Sequence, residues 1–509
     1  MVTDKIPATP PPDDEMVIGL VAAVGINLEE LTAELRAVLS EFGYRSHALH
    51  LTDAFAAFNW PTPLVEAPFD ERVWSYMDAG DLLCKEWNRN EAMAMLAVSQ
   101  IAAARSELTG DIEAPAPRTA YILRSLKRPA EIEFLRQVYG RRFFAISAST
   151  QEVARMRYIE DRIRQSRIPP FSREPLHSAD AIAARDEEDE RFDHGQNVRD
   201  TFHRADIFVD LSRDLTDQLT RAFDVVHGSP LRSPTKDEIG MMHAATAALR
   251  SAELGRQVGA AVSTPDGAIV ATGCNEVPKA FGGQYWEGEA GDARDVMLGH
   301  DTNTVRRRTI GAEIAEKLSV GNLLRAGVDP EQVLEIVESS HFGDVIEYVR
   351  AVHAEMAAIA DAARRTASVD KCFMYATTFP CHHCARHILA AGIGRVVFIS
   401  PYAKSLALDL HGDALAVGRR RGRERKVPFE PFIGIGPRRF GALFMHSTRK
   451  APTGDLLQFD RVSARARIED RDPEDLRSDN LPYLQRELRA HGMLADAERE
   501  SGFEMSRDE

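Results

Sequence analysis

His353-Ala354-Glu355 and Pro380-Cys381-His382-His383-Cys384 are the stretches whose reading decides what this chain is. One imidazole and two sulfurs form the donor set of a tetrahedral Zn²⁺ site that keeps its fourth position open for water. Water held at such a position ionises near pH 7 rather than at about 15.7. A structural zinc site would need a fourth protein ligand, for which His382, His383 and His387 are the candidates. His382 and His383 lie inside the Cys-x-x-Cys loop and are expected to point away from the metal. A redox Cys-x-x-Cys is the other alternative. Neither alternative has a use for the upstream His-x-Glu. The metal ligands are therefore read as His353, Cys381 and Cys384, with the non-ligand Glu355 as the catalytic acid–base.

Local propensity explains the spacing. Residues 351–365, AVHAEMAAIADAARR, are alanine-rich without glycine or proline and predict a helix with His353 and Glu355 in its first turn. Cys381 and Cys384 open a second predicted helix. Residues three apart share a face there, and Pro380 suits a helix start because its missing N–H would lack a partner. The positive end of that helix favours thiolate. Gly392 is expected to close it, and Arg395–Ile399 reads as a buried strand.

The pattern H-x-E…P-C-x-x-C is that of zinc deaminases acting on nucleobases. The region from roughly 240 to 400 resembles the cytidine and deoxycytidylate deaminases. Besides the zinc motifs, Arg256-Gln-Val-Gly-Ala260 and Ala268-Ile-Val-Ala-Thr-Gly-Cys-Asn275 are similar to that family's first hairpin. The residues alone predict a hairpin here, two short apolar strands about a Pro-Asp-Gly turn. The resemblance adds that Asn275, with Glu276 beside it, faces the substrate sugar. A longer match, Arg250 to Ala260, Gly273 to Lys279, and Pro401-Tyr-Ala-Lys-Ser405 with Leu410-His-Gly-Asp413, resembles the bacterial anti-phage dCTP deaminases. Lys404 and His411 are the further candidates for substrate or phosphate contact.

That resemblance spans nearly the whole chain and implies two parts. One is an N-terminal P-loop-kinase-like half, a parallel α/β sheet with helices on both faces. The other is a C-terminal three-layer α/β/α deaminase. It implies zinc-dependent deamination of free deoxycytidine nucleotides, dCTP and also dCMP, which drains dCTP from a replicating phage. It further implies a homo-oligomer and a regulator acting on the N-terminal half. A housekeeping dCMP deaminase, an RNA or single-stranded DNA cytosine or adenine editor, and a non-enzymatic nucleotide sensor with a relic zinc site are the alternatives.

Composition bounds these readings. A chain of 509 residues exceeds one core. Five cysteines are too few for a disulfide framework and point to a reducing compartment. No apolar run approaches the roughly 20 residues of a membrane span, and no signal-peptide pattern opens the chain, so a cytoplasmic protein without membrane contact is expected. A net charge of −15 and an aromatic share of 7% argue against stable binding of long nucleic acid. The basic runs Arg306–Arg308 and Arg419–Lys426 are read as solvated faces before phosphate sites.

The N-terminal half opens with the apolar run Met16–Gly25 and continues into a helix from Asn27, capped by Asn27 with Glu30 three residues on. This is the strand–turn–helix order of a phosphate-binding loop, yet G-x-x-x-x-G-K-[ST] fails. Counted from Ala22, Asn27 stands for the second glycine, Leu28 for the lysine and Glu29 for the hydroxyl residue. ATP hydrolysis is not expected; Gly19, Ala22, Gly25 and Asn27 are the candidates for binding a nucleotide through backbone N–H groups. Further strands are predicted at 44–52, 119–124, 141–147 and 205–211, with a helix from Pro129. Asp53, Arg124, Lys127 and Arg128 fall at strand ends, where such sheets bind ligands, and are read as solvated loop charges. Residues 178–194 read as an exposed helix or loop. The parts are drawn as a disordered lead-in 1–15, a kinase-like domain 16–227, a deaminase domain 228–450 whose first helix runs 236–256, and a charged helical extension 451–509.

Overall fold

The computed structural model describes residues 15–167, 174–189, 194–325, 327–400, 405–418, 425–446, 448–468 and 483–505. Two compact units divide the chain: Met1–Pro234 with Ile433–Glu509, and Thr235–Phe432. Each is a mixed α/β unit built on a six-stranded, mostly parallel sheet. No helix among the described residues is long and apolar enough to cross a membrane.

In the first unit β1 (Glu15–Ala22), β2 (Arg45–His50), β3 (Thr119–Leu126), β4 (Phe143–Ser149) and β5 (Ile207–Asp210) run parallel in the order β2-β3-β1-β4-β5. Every residue of the central β1 is buried. Successive side chains of a strand point to opposite faces. Met16, Ile18 and Leu20 pack with Leu31, Leu35 and Val38 of helix Leu28–Glu41 and with Leu219 and Phe223 of helix Leu215–Val226. Val17 and Val21, on the other face, are 1% and 0% exposed, so both faces are covered, as parallel sheets require. Helices Ala92–Thr109 and Pro129–Tyr139 pack against the sheet and each other.

Three sequence expectations change here. Of residues 178–194, 190–193 lie outside the described residues and the rest is not simply an exposed segment. Helix Ala179–Glu187 buries Ile182, Ala183, Arg185 and Asp186. Arg128 and Lys127 are not solvated charges either. Arg128 is buried against Asp81 at 2.5 Å and Glu131 at 3.3 Å, and Lys127 meets Asp186 at 2.6 Å. The charge-rich composition that suggested a wet surface belongs to buried ion pairs, in which Arg185 also bonds Asp81 and Asp189. Third, the chain from 433 onward sits with the first unit. Gly434–Ile435 adds an antiparallel edge to β5, and Ala466 and Ile468 enter the core around β1. Helix Tyr483–Ser501 packs on Ala92–Thr109 and Pro129–Tyr139. The sequence reading had carried the second part to 450 and set 451–509 apart, because pairing with strands more than two hundred residues away leaves no local signal.

In the second unit the sheet comprises β6 (Gly259–Ser263), β7 (Ile269–Cys274), β8 (Phe373–Thr378), β9 (Arg395–Ser400), β10 (Leu415–Val417) and β11 (Val427–Pro431), ordered β10-β11-β9-β8-β6-β7. β6 lies antiparallel between β7 and β8, and the other pairs are parallel. The expected hairpin is β6–β7, turning through Gly267 at φ +105°. Helix Lys236–Ala248 starts in a Thr235/Glu238 capping box and covers one face. It stops short of the expected Arg256, since residues 251–252 are tied instead to the end of β7. Ser251 Oγ donates to Asn275 O at 2.7 Å, and the Ala252 N–H donates to Glu276 Oε2 at 2.9 Å.

The opposite face carries helices Ala354–Arg364 and His382–Ala390, whose Ala354, Ala358, Ala385 and Ile388 share a core with Ala260, Val262 and Val396. Gly273 allows the first of these helices to approach. A Cβ there would lie 2.3 Å from Ala354 O and 2.4 Å from Ala358 N, both backbone atoms that cannot turn aside.

Gly273→Ala is therefore expected to push Ala354–Arg364 off the sheet and cost about 1–3 kcal/mol, the range for overpacking, read by urea unfolding of the full chain. Arg105, with a fully buried side chain, bridges Glu15 at 2.8 Å and Glu487 at 2.5 Å. Arg105→Ala leaves two buried carboxylates unpaired and is expected to cost about 3–5 kcal/mol in the same measurement.

Candidate active site

The two motifs meet because each begins at a helix N-terminus. His353 is the N-cap of Ala354–Arg364 and Cys381 the N-cap of His382–Ala390, which puts Glu355 and Cys384 in the first turns. The positive end of each helix dipole favours the anionic form of sulfur and carboxylate. His353 Nδ1 lies 3.3 Å from Cys381 Sγ and 3.4 Å from Cys384 Sγ. One ligand atom from each of the three lies within 4.8 Å of the others. Glu355 is 3% exposed, and its Oε2 accepts a hydrogen bond from Cys384 Sγ at 3.2 Å.

Electrostatics divide the labour. The hydrogen bond from Cys384 and then that with His353 hold Cys381 well below the ordinary thiol range, which favours its thiolate form. Cys384 is pushed well up, first because it donates that bond to Cys381 and then by burial. Glu355 is raised above the usual carboxylate range, first by burial and then by the Cys381 charge. His353 is raised chiefly by its hydrogen bond with Cys381. A half-buried imidazole beside two buried sulfurs, one of them held toward its thiolate form, fits Zn²⁺ by donor chemistry and by count. His382 and His383 stand outside this group: their rings pack together with centroids 4.4 Å apart, and His383 faces Glu347.

The remaining predicted residues take varied places. Glu276, 1% exposed, accepts the N–H groups of Ala252 and Val277 on its two carboxylate oxygens. Its backbone pairs both ways with Val352, the residue before His353. Asn275 Oδ1 accepts the Val258 N–H, and Nδ2 donates to Arg256 O, each at 2.7 Å. Both side chains thus brace the loop that follows Lys236–Ala248. His411 ends the short helix Ala407–His411, which packs against His382–Ala390. Lys404 lies outside the described residues. Of the basic runs, Arg308 pairs with Glu338 at 3.1 Å, and 419–424 lies outside the described residues. In the first unit, Gly19 lies inside β1 against Leu126 and Phe143, not in the turn; Ala22 ends that strand; Gly25 has φ +90°; and Asn27 caps Leu28–Glu41 by accepting the Glu30 N–H.

The sequence reading missed a group of carboxyls. Glu253, Asp295 and Asp301 bring one oxygen each within 4.8 Å of the others, and Glu253 acts electrostatically on His353. Burial, then Asp295 and Asp301, push Glu253 above the carboxylate range. Asp295 and Asp301 belong to the long stretch between β7 and Ala354–Arg364, so no motif spacing announces them.

Residues 234–400 match the family described as the cytidine and deoxycytidylate deaminase zinc-binding region. Among solved structures, the dCMP deaminase of cyanophage S-TIM5 in apo form is 17% identical, with 40% of this chain and 100% of that chain covered and a TM-score of 0.22. The same enzyme in complex with dCMP and dUMP is 18% identical, with 40% and 99% covered and a TM-score of 0.23. A diaminohydroxyphosphoribosylaminopyrimidine deaminase/5-amino-6-(5-phosphoribosylamino)uracil reductase from Thermotoga maritima is 15% identical, with 41% and 39% covered and a TM-score of 0.21. No curated protein matches the chain. The second unit thus carries a cytidine and deoxycytidylate deaminase zinc-binding region, with a His/Cys/Cys cluster that can hold the metal.

Proposed function

We propose that this chain removes the exocyclic amine of deoxycytidine nucleotides by hydrolysis, with dCTP as the main substrate and dCMP as a further one, and that draining dCTP defends a cell against phage. The observation that carries the reaction is Glu355, a buried carboxyl that is not needed as a ligand yet sits against the His353/Cys381/Cys384 cluster. The metal, when bound, supplies a nucleophilic water at neutral pH. Glu355 takes a proton from the water whose oxygen adds to C4 of the cytosine and delivers it to N3. It then takes the second proton from the new C4 hydroxyl and gives it to the amine, the C4–N bond breaks as the C4=O bond forms, ammonia leaves and the ring becomes a uracil. Its raised pKa suits a group that must both accept and return a proton near neutrality. By the resemblance Asn275 lies on the sugar side of the site, at the loop that it and Glu276 brace, and Lys404 and His411 are the candidates for further substrate or phosphate contact.

The choice of dCTP, the role against phage, the oligomer and a regulatory, P-loop-kinase-like first unit rest on the sequence resemblance. The central position of β1, running into a turn and a capped helix, supports the last of these. Ammonia release from a panel of cytosine substrates tests the proposal. Turnover of dCTP supports it. Turnover of dCMP alone assigns a housekeeping dCMP deaminase, of polynucleotide alone an editor, and of nothing a sensor.

Glu355→Gln is expected to lower turnover by at least the roughly 10²–10⁴-fold that general acid–base help contributes, with zinc content per chain unchanged. Cys381→Ser is expected to lose the metal and lower the unfolding midpoint, because ligation and folding are coupled; metal analysis and thermal unfolding check it.

A further inference from the structure

His382 and His383 have no part in the proposed reaction, yet the fold gives them an arrangement of their own. Neighbouring residues of a helix ordinarily diverge. These two rings instead converge to a centroid separation of 4.4 Å in the first turn of His382–Ala390. Glu347, on the turn that leads toward His353, meets them there. One nitrogen of each ring and one Glu347 oxygen lie within 4.8 Å of one another, in a group separate from His353, Cys381 and Cys384.

His382 Nδ1 and His383 Nε2 are buried, and neither has a hydrogen-bond partner among the described residues. Buried polar nitrogens without a partner are rare and point to a water or an ion. His383 Nε2 stands 3.6 Å from Glu347 Oε1, beyond hydrogen-bond reach. Imidazole nitrogen and carboxylate oxygen sit about 2.0–2.2 Å from zinc, so two of them on one ion are roughly 3–3.6 Å apart. The gap has the length of a ligand edge, close to the 3.3 and 3.4 Å between His353 and the two sulfurs. Glu347 is also held in place by its neighbours. Ile346 packs on the core of the second unit. The Tyr348 N–H donates to Asn303 Oδ1 and the Tyr348 carbonyl accepts from Thr302 Oγ1, each at 3.2 Å. The Glu347 side chain is 52% exposed, whereas Cys381 and Cys384 are buried, so a cation reaches Glu347 directly from solvent.

We propose that His382, His383 and Glu347 form a second metal site, for a borderline divalent transition cation such as Zn²⁺, with water completing the coordination. Two imidazoles and one carboxylate suit zinc and its neighbours rather than Mg²⁺ or Ca²⁺, which take oxygen ligands. The cation exchanges with solution through the open side at Glu347. When bound, it fastens the segment before His353 to the helix that carries Cys384. The site stands whether or not the chain deaminates nucleotides, since metal is counted and no ammonia is read.

Calorimetric titration with Zn²⁺ of the full chain, already holding its first zinc, tests this. Wild type is expected to bind a further equivalent and to gain thermal midpoint with it. His382→Ala, His383→Ala and Glu347→Gln are each expected to weaken that equivalent by at least the roughly 10–100-fold that losing a mere orienting partner costs. Each is expected to keep the first zinc, which shows that it is folded. Glu347→Gln, on an exposed turn, carries the test should a histidine variant not fold. With Co²⁺ in place of zinc, the sulfur-to-cobalt charge-transfer band is expected to accompany the first equivalent only, because the second has no thiolate. A single zinc in wild type at saturation, a second equivalent undiminished in the three variants, or a second equivalent that brings a sulfur band overturns the proposal.

Discussion

Two helix N-termini brought to one point are the constraint the second unit is organised around. His353 caps one helix and Cys381 the other, and their donor atoms lie 3.3 Å apart. That convergence needs both helices on the same face of the sheet at a fixed depth. Gly273 sets the depth for the first helix, since any side chain there would strike its backbone. The pairing of Glu276 with Val352 sets the position at which the helix begins. The environment of Cys381 favours its charged form, and burial of Glu355 favours its neutral form. One small volume thereby holds a sulfur that favours its charged form and a carboxyl that holds a proton more tightly than usual.

The first unit uses charge differently. Arg105, Arg128 and Arg185 are buried with two or more carboxylates each. Such networks stabilise little against apolar packing of equal volume, but removing one member is costly. Their consequence is specificity of arrangement: the helix Tyr483–Ser501 is held at one place on helix Ala92–Thr109 by the Glu487–Arg105 pair, and Ala179–Glu187 is held by Arg185 and Asp186.

Sequence reading did well wherever a signal is local. The start of β1, the Asn27 cap, the helix from Pro129 and the β6–β7 hairpin all rest on neighbours within a few residues, and all are found. It did poorly with charge. Residues 178–194 looked exposed because an acidic, alanine-rich run carries no mark of its partners, whereas Arg185 and Asp186 find theirs on distant segments. The Glu253/Asp295/Asp301 group was invisible for the same reason, its members being separated by a long connection without motif.

From the order of residues alone follow the metal-binding donor set, the glutamate placed beside it and the alternation of strands and helices. Each depends on donor type, on caps or on spacings of two to four residues, which survive in any environment. Tertiary structure alone decided which charges are buried and matched, which glycine admits a helix, and where the chain after 432 belongs. The Val24–Asp186 bond spans 162 residues and the Arg105–Glu487 bond 382. Over such separations no pattern along the chain encodes a partner; only the folded core, by excluding water from both ends, makes the pairing obligatory.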